Sequence, residues 1–256
     1  MLDKKQIKKN LNNKNIEIDI FDSLGSTNDY LHSFLKSSDM RICLAEQQTH
    51  GKGRLNHHWH SPFGVNIYLS CLYAFHKNMS ELAGLSLVVS LAVIKTLQSY
   101  LPKMLHVKWP NDIYYDGKKL AGILIESQAE NNGGCIVIIG VGINVNMYTD
   151  ENKSITQDWT SLRCITNHCI DRNFIVASFT NTLIDYLEKF NQHGLLFFMD
   201  EWRSVDYLFN KNITVKNSQS KSSGVAKGIN DQGFLLLETN ANEIKAFSTG
   251  DTSVVK

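Results

Sequence analysis

The run Cys135-Ile136-Val137-Ile138-Ile139-Gly140-Val141-Gly142-Ile143-Asn144-Val145 constrains the fold of this chain more than any other segment. A strand exposed on one face alternates polar and apolar residues; this one does not alternate, so it belongs at the centre of a sheet covered on both faces. Such a strand needs helices to cover it. Candidates stand at residues 80–100 and 171–192, opened by Ser80 and Asp171, with His193-Gly194 as a stop signal for the second. A shorter helix is expected over residues 195–203.

Strands are expected at residues 16–21, 41–46 and 66–73, with a helix after Ser26 or Thr27 that carries Tyr30, Leu31, Phe34 and Leu35 on one face. Helices and strands interleave without a regular βαβ repeat, which predicts an α+β fold. Beyond Tyr207 only short strand-like runs alternate with turns such as Asn230-Asp231-Gln232-Gly233. The expected organisation is a larger domain over residues 1–208 and a small barrel over residues 209–256.

The chain carries 26 basic and 25 acidic residues, a balance that argues against a bulk nucleic-acid or membrane-surface binder. The apolar stretch Leu82–Leu101 is broken by Ser86, Ser90, Lys95, Gln98 and Ser99, which predicts a buried amphipathic helix and no membrane partner. Five cysteines, at 43, 71, 135, 164 and 169, lack the spacing of metal ligands or of a disulfide framework and read as reduced thiols. The N-terminus has no apolar signal core, so a cytoplasmic protein is expected.

Chemistry concentrates in two segments. Lys108-Trp109-Pro110-Asn111-Asp112 continues through Lys118-Lys119 to Leu120-Ala121-Gly122 and Glu126, and reads as a strand, a tight turn and a second strand. Two lysines at the ends of half-buried strands suit an anion, and the Ala121-Gly122 step suits a flat ligand lying against the backbone. Upstream, Gly51-Lys52-Gly53-Arg54 joins two cations to glycines free to take positive φ, a combination suited to phosphate. Neither the nucleotide P-loop nor the Rossmann glycine pattern is present.

The order of these pieces resembles the biotin protein ligases. The matching segments are Asp22-Ser23-Leu24-Gly25-Ser26-Thr27-Asn28, Ala45–Arg54, Trp59–Asn66, the 108–126 segment and Gly140–Asn144. The resemblance implies a mixed-sheet catalytic domain related to class II aminoacyl-tRNA synthetases and lipoate ligases, followed by an SH3-like barrel. It implies two steps: biotin and ATP give biotinyl-5′-AMP and pyrophosphate, and a lysine of a biotin carboxyl carrier domain then takes the biotin. Mg²⁺ is expected with the triphosphate, and a homodimer is an open expectation. No room is left for the DNA-binding domain of the repressor members, so no DNA partner is expected.

In this reading Lys119 neutralises the biotin carboxylate, Arg54 and Lys52 hold phosphate, and Asp112 stands beside Lys108 as a holder of the site or an aid to the incoming lysine or a metal. Joining two anions requires cations where charge accumulates, which gives these residues an independent reason to be there. Ser26, Thr27 and Gln48 match positions around the ureido ring, and Gly51, Gly53 and Gly122 leave room for the bicycle. Asn111 belongs to the same binding set, Asn144 matches a position near the adenylate, and Trp59 packs against adenine. Lys52 replaces a customary arginine, which keeps the charge but loses the bidentate fork and puts retention of the intermediate in question. Val255 stands where an arginine is common, which puts the barrel's contact with the site in question. A lipoate or octanoate ligase and a noncatalytic biotin- or nucleotide-binding module are the competing readings.

Overall fold

The computed structural model describes residues 1–35, 39–130, 133–150, 154–217 and 220–255. Its strands are β1 (Glu17–Phe21), β2 (Arg41–Ala45), β3 (Ile67–Phe75), β4 (His106–Lys108), β5 (Asp112–Tyr115), β6 (Lys118–Ala129) and β7 (Cys135–Ile143), then β8 (Asn212–Lys216), β9 (Lys221–Ile229), β10 (Leu235–Glu238), β11 (Ile244–Phe247) and β12 (Asp251–Val254). The helices are α1 (Lys4–Asn10), α2 (Thr27–Leu31), α3 (Leu85–Leu97), α4 (Leu162–Thr166), α5 (Arg172–His193) and α6 (Met199–Val205).

The first sheet runs β1-β2-β3-β7-β6-β5-β4 and is mixed, since β1 and β2 are parallel and the remaining pairs antiparallel. The apolar run forms β7, flanked by β3 and β6, as a strand buried on both faces must be. Its odd-numbered residues, with Ile67, Leu69 and Cys71 of β3, join the main core shared with α3 and α5. Its even-numbered residues divide. Ile136 and Ile138 lie under α2 with Leu31, Cys43 and Leu72, whereas Gly140 and Gly142 carry no side chain. That change from isoleucine to glycine along one face is what leaves a hollow on the sheet.

The second sheet is antiparallel, in the order β11-β10-β9-β8-β12. The chain reaches it through Asp206 and Tyr207, which extend the β4 edge by a bridge from Val107 to Asp206 and a bond from the Tyr207 N–H to the Val107 carbonyl. Ile213, Val215, Leu235 and Leu237 of this sheet belong to the same apolar core as α3.

Several local expectations are corrected. Asn78, not Ser80, opens the long apolar segment, through a capping box with Glu81 over a 3₁₀ turn, and α3 begins only after Gly84 at φ +82. A Cβ at Gly84 would stand 2.5 Å from Leu195 Cδ2, so close packing demands glycine at this break. α3 is not amphipathic: only Ser86 and Lys95 escape burial, which makes it a core helix, although the run Met79–Tyr100 that contains it is long and apolar enough to cross a membrane. The 108–126 segment is a three-stranded meander, because Pro110 offers no N–H to a ladder and ends β4. The short helices α1 and α4, capped by Asp3 and Ser161, went unpredicted; they are too brief to display a helical period. Cys43, Cys71 and Cys135 are buried thiols, whereas Cys169 is exposed.

Candidate active site

Register places the candidate residues along one rung of the first sheet. Lys108 pairs with Asp112, Asp112 with Gly122, Gly122 with Gly142, and Gly142 with Tyr68. Above this rung lies a cleft of about 510 Å³. Ser26, Thr27 and Gln48 line one end of it, Lys108, Asn111, Asp112 and Lys119 the other, and Lys52, Gly53, Arg54 and Trp59 border it from the loop.

The loop is built like a hairpin. The Trp59 N–H bonds the Gly51 carbonyl, Lys52 bridges His58, and the Gly53 N–H bonds the His57 carbonyl, so Arg54 rides at the tip. Positive φ falls at Leu55 (52°) rather than at either glycine, which corrects the expected use of Gly51 and Gly53. Gly51 is buried, does not line the cleft, and is required for another reason: a Cβ there would meet the Trp59 carbonyl at 2.4 Å.

Trp59 lies flat on the sheet. A Cβ on Gly142 would come within 2.4 Å of its indole and one on Gly122 within 3.0 Å. The floor expected for a bicyclic ligand at Ala121-Gly122 is therefore occupied by this indole. Its Nε1 is buried and has no partner among the described residues.

The cations are held in different ways. Lys119 Nζ lies 2.8 Å from Asp112 Oδ1, both side chains being largely buried, and 5.2 Å from the Trp59 ring centroid. Arg54 Nη2 donates to Thr249 Oγ1 at 3.0 Å, and Nη1 reaches the Gly250 carbonyl and Asn111 Oδ1, each at 3.4 Å. Lys52 pairs with Asp29 at the surface instead of standing beside Arg54 as a free phosphate contact. Burial pushes the Lys108 ammonium below the ordinary lysine range; Asp112 and Asp251 oppose this shift and Lys119 reinforces it.

Ser26 is the cap of α2, its hydroxyl accepting from the Asp29 N–H, and Thr27 is the first helical residue. Thr27 N and Oγ1 both contact Gln48 Oε1, at 2.9 and 3.0 Å. Asn144 is not brought to the cleft: it is buried with its Nδ2 on the Thr160 carbonyl, tying the end of β7 to the segment before α4.

Residues passed over by the sequence reading also line the cleft, notably Asn28, Gly140, Gly142, Asp251 and Thr252. The Gly-Val-Gly step inside an otherwise apolar strand was the available signal for two of them. Asp251 and Thr252 arrive from the second sheet. Thr252 Oγ1 donates to the Trp109 carbonyl at 3.1 Å, and Trp109 Nε1 to the Gly233 carbonyl at 2.9 Å. The second sheet thus meets the site through Arg54, Trp109 and Thr252, while Val255 is exposed.

Residues 20–144 match the biotin/lipoate A/B protein ligase family, and residues 208–255 match the biotin protein ligase C-terminal domain. The bifunctional ligase/repressor BirA of Escherichia coli strain K12 is 35% identical over 234 residues, spanning 90% of this chain and 72% of that protein. The chain belongs to the biotin protein ligases. The biotin--[acetyl-CoA-carboxylase] ligase of Mycobacterium tuberculosis is 28% identical over 243 residues, covering 92% of this chain and 88% of its own. Among solved structures, the Aquifex aeolicus biotin protein ligase in complex with biotin and ATP superposes with a TM-score of 0.80 at 27% identity, covering 94% of this ligase and 99% of that chain.

Glycine at position 142 is a sharp test of the indole's place in this ligase. Gly142→Ala sets a methyl group against the ring at a distance real structures do not tolerate, so Trp59 must leave its seat. ATP affinity measured by calorimetry is expected to fall about tenfold, the scale of an overpacked site. Unchanged affinity would remove Trp59 from the binding surface.

Proposed function

We propose that this ligase activates biotin with ATP to biotinyl-5′-AMP and then transfers it to a lysine of the biotin carboxyl carrier domain of an acetyl-CoA carboxylase. The observation that carries the site assignment is the gathering of Lys108, Lys119 and Arg54 around one cleft, with the Asp112 carboxylate paired to Lys119 and opposite Lys108 in the strand register. A carboxylate oxygen attacks the α-phosphorus, its electron pair forms the new P–O bond, and the pair of the broken bond leaves with pyrophosphate, where negative charge builds. Lys119 exchanges Asp112 for the biotin carboxylate and lowers the repulsion between the two anions. Arg54 exchanges its neutral partners Thr249 and Asn111 for phosphate oxygens, a stronger charge-assisted interaction.

In the second step the acceptor's ε-amine attacks the anhydride carbonyl and AMP leaves with the electron pair. Asp112, freed from Lys119, holds the incoming amine and takes its proton. Ser26, Thr27 and Gln48 face the ureido ring. Asn144 acts at one remove, by holding the segment that carries Trp159 against Lys119.

No three His, Cys, Asp or Glu side chains converge to hold a metal among the described residues, so Mg²⁺ has no protein cage here and would be carried by the triphosphate. Residues 1–208 form the catalytic domain, related to class II aminoacyl-tRNA synthetases, and residues 209–256 the SH3-like domain; the five-stranded antiparallel sheet supports the latter. The acceptor docks along the free edge of β12, which borders the cleft through Asp251 and Thr252, and the same edge is a candidate surface for a homodimer. The protein acts in the cytoplasm.

Incubation with ATP, Mg²⁺ and either biotin or lipoate, followed by mass spectrometry, tests this reading. Biotinyl-AMP is the expected product. Lipoyl-AMP in its place would make the chain a lipoate ligase, and tight biotin binding with no adenylate would make it a binding module.

A further inference from the structure

Every species that enters the cleft for the first step is an anion: the biotin carboxylate, and the triphosphate with its Mg²⁺. Only the second step brings a cation, the ε-ammonium of the acceptor lysine. Four basic side chains border the cleft, Lys52, Arg54, Lys108 and Lys119, against two carboxylates, Asp112 and Asp251. Asp112 is committed to Lys119 at 2.8 Å. Asp251 has no task in the first step, where a negative charge at the cleft border opposes the entry of two anions.

The backbone around Asp251 is fixed on both sides. Asp251 opens β12 directly after Gly250, whose carbonyl accepts from Arg54 at the loop tip, as does the Thr249 hydroxyl before it. A Cβ on Gly250 would stand 2.9 Å from Val215 Cγ1, so this turn packs tightly on β8. One residue further on, the Thr252 hydroxyl is tied to the Trp109 carbonyl at 3.1 Å. Between these anchors the Asp251 side chain is exposed and makes no ion pair among the described residues. Lys216 stands opposite it in the β8 register, itself exposed, and Lys108 lies within reach of its field. β12 is also an edge strand of its sheet. A lysine brought in along that edge meets the exposed Asp251 before the largely buried Asp112.

We propose that Asp251 receives the acceptor's ε-ammonium at the mouth of the cleft and offsets the repulsion of the basic side chains as it enters. This rests on the reading of the chain as a two-step ligase. Once pyrophosphate has left, the adenylate keeps one phosphate charge where ATP carried several, and the border is left with excess positive charge. A carboxylate at the point of entry turns that barrier into a path for a cation. Asp251 makes and breaks no bond: Asp112 takes the proton, and the amine attacks the anhydride.

The two half-reactions, measured separately on the intact chain, test this role. Biotin-dependent exchange of pyrophosphate into ATP reads the first. The second is read by mixing enzyme-bound biotinyl-AMP with the biotin carboxyl carrier domain of an acetyl-CoA carboxylase, or with hydroxylamine, an uncharged nucleophile. Asp251→Asn, which keeps shape and removes charge, is expected to lower kcat/KM for the carrier domain about tenfold, chiefly through KM, the scale of a steering charge at a cleft. Exchange and hydroxamate formation admit no cation and should stay within about twofold of the parent. Asp251→Glu should recover the carrier reaction to within about threefold, and the salt dependence of that reaction should flatten in Asp251→Asn. Carrier labelling by Asp251→Asn within about twofold of the parent would overturn the proposal. So would an equal loss in pyrophosphate exchange, which would assign Asp251 to the nucleotide or to the charge on Lys108. An unsubstituted chain that forms no biotinyl-AMP, or does not label the carrier domain, would instead overturn the function on which the proposal rests.

Discussion

Lys119→Ala is expected to slow biotin-dependent pyrophosphate release by about a hundred- to a thousandfold, the cost of removing one preorganised charge-stabilising group from a reacting centre. The lysine is held for this task. β6 pairs with β5 so that Lys119 reaches Asp112 at 2.8 Å, and Trp59 walls the ammonium from one side. Two losses combine in the variant. The entering carboxylate finds no counter-charge, and Asp112 keeps a largely buried negative charge next to the site of two further anions. Lys119→Arg, which retains charge but not the compact ammonium, should lose less. Adenylate formation by Lys119→Ala at a rate within a few-fold of the parent would take the lysine out of the mechanism.

The second large effect concerns stability. Glu46 directly follows β2 and is buried against Arg172, the first residue of α5, with Arg172 Nη1 at 2.7 Å from Glu46 Oε2 and at 2.9 Å from the Asn66 carbonyl. The Leu2 N–H bonds the other carboxylate oxygen. This knot fastens both ends of the ligand-binding loop, since the Gly64 N–H bonds the Glu46 carbonyl. Arg172→Met leaves the carboxylate buried without its counter-charge and should cost about 3–5 kcal/mol. In a chain of this size that loss lowers the melting temperature by about 10 °C.

The same pair predicts a dependence on pH. Burial alone would push the Glu46 carboxyl up, but the Arg172 guanidinium and the Leu2 N–H hold it below the ordinary glutamate range. A carboxyl depressed in the folded state contributes stability that is complete above its unfolded value, about 4.3, and is lost as pH falls through the folded value. The stability gap between the parent and Arg172→Met should therefore be full at neutral pH and narrow in acid. A gap that stays constant from pH 7 to pH 3, measured by denaturant titration, would show that Glu46 does not carry the effect.

Much of the fold was legible along the chain because local patterning coincides with what burial requires. The central position of β7 follows from its lack of polar alternation, and the five short strands of the second sheet follow from their spacing between turns. The elements that escaped were those whose signals are short or displaced. α1 and α4 are each about two turns or less. The start of α3 was displaced from Ser80 because Gly84 must pass close to Leu195, a residue more than a hundred positions away.

The site divides in the same manner. Ser26, Thr27, Gln48, Arg54, Trp59, Lys108, Asn111, Asp112, Lys119 and Gly122 are gathered at the cleft as their order along the chain suggested. Gly51 and Asn144 are not, because their side-chain positions serve packing and a strand-end hydrogen bond. What the sequence determined was chemistry and periodicity: which segments alternate, where cations and glycines fall, and which family order they follow. What only the tertiary structure decided was partnership. Lys119 meets Asp112, Arg54 meets Thr249 across almost two hundred residues, Trp59 lies on Gly122 and Gly142, and Glu126 reaches Thr27 through Asn28 and Ser70. For the strand residues Ser70, Asp112, Lys119 and Glu126 partnership depends on register, since a shift of one residue turns a strand's side chains to the opposite face. For Arg54 and Trp59 it depends on how the loop folds back over the sheet.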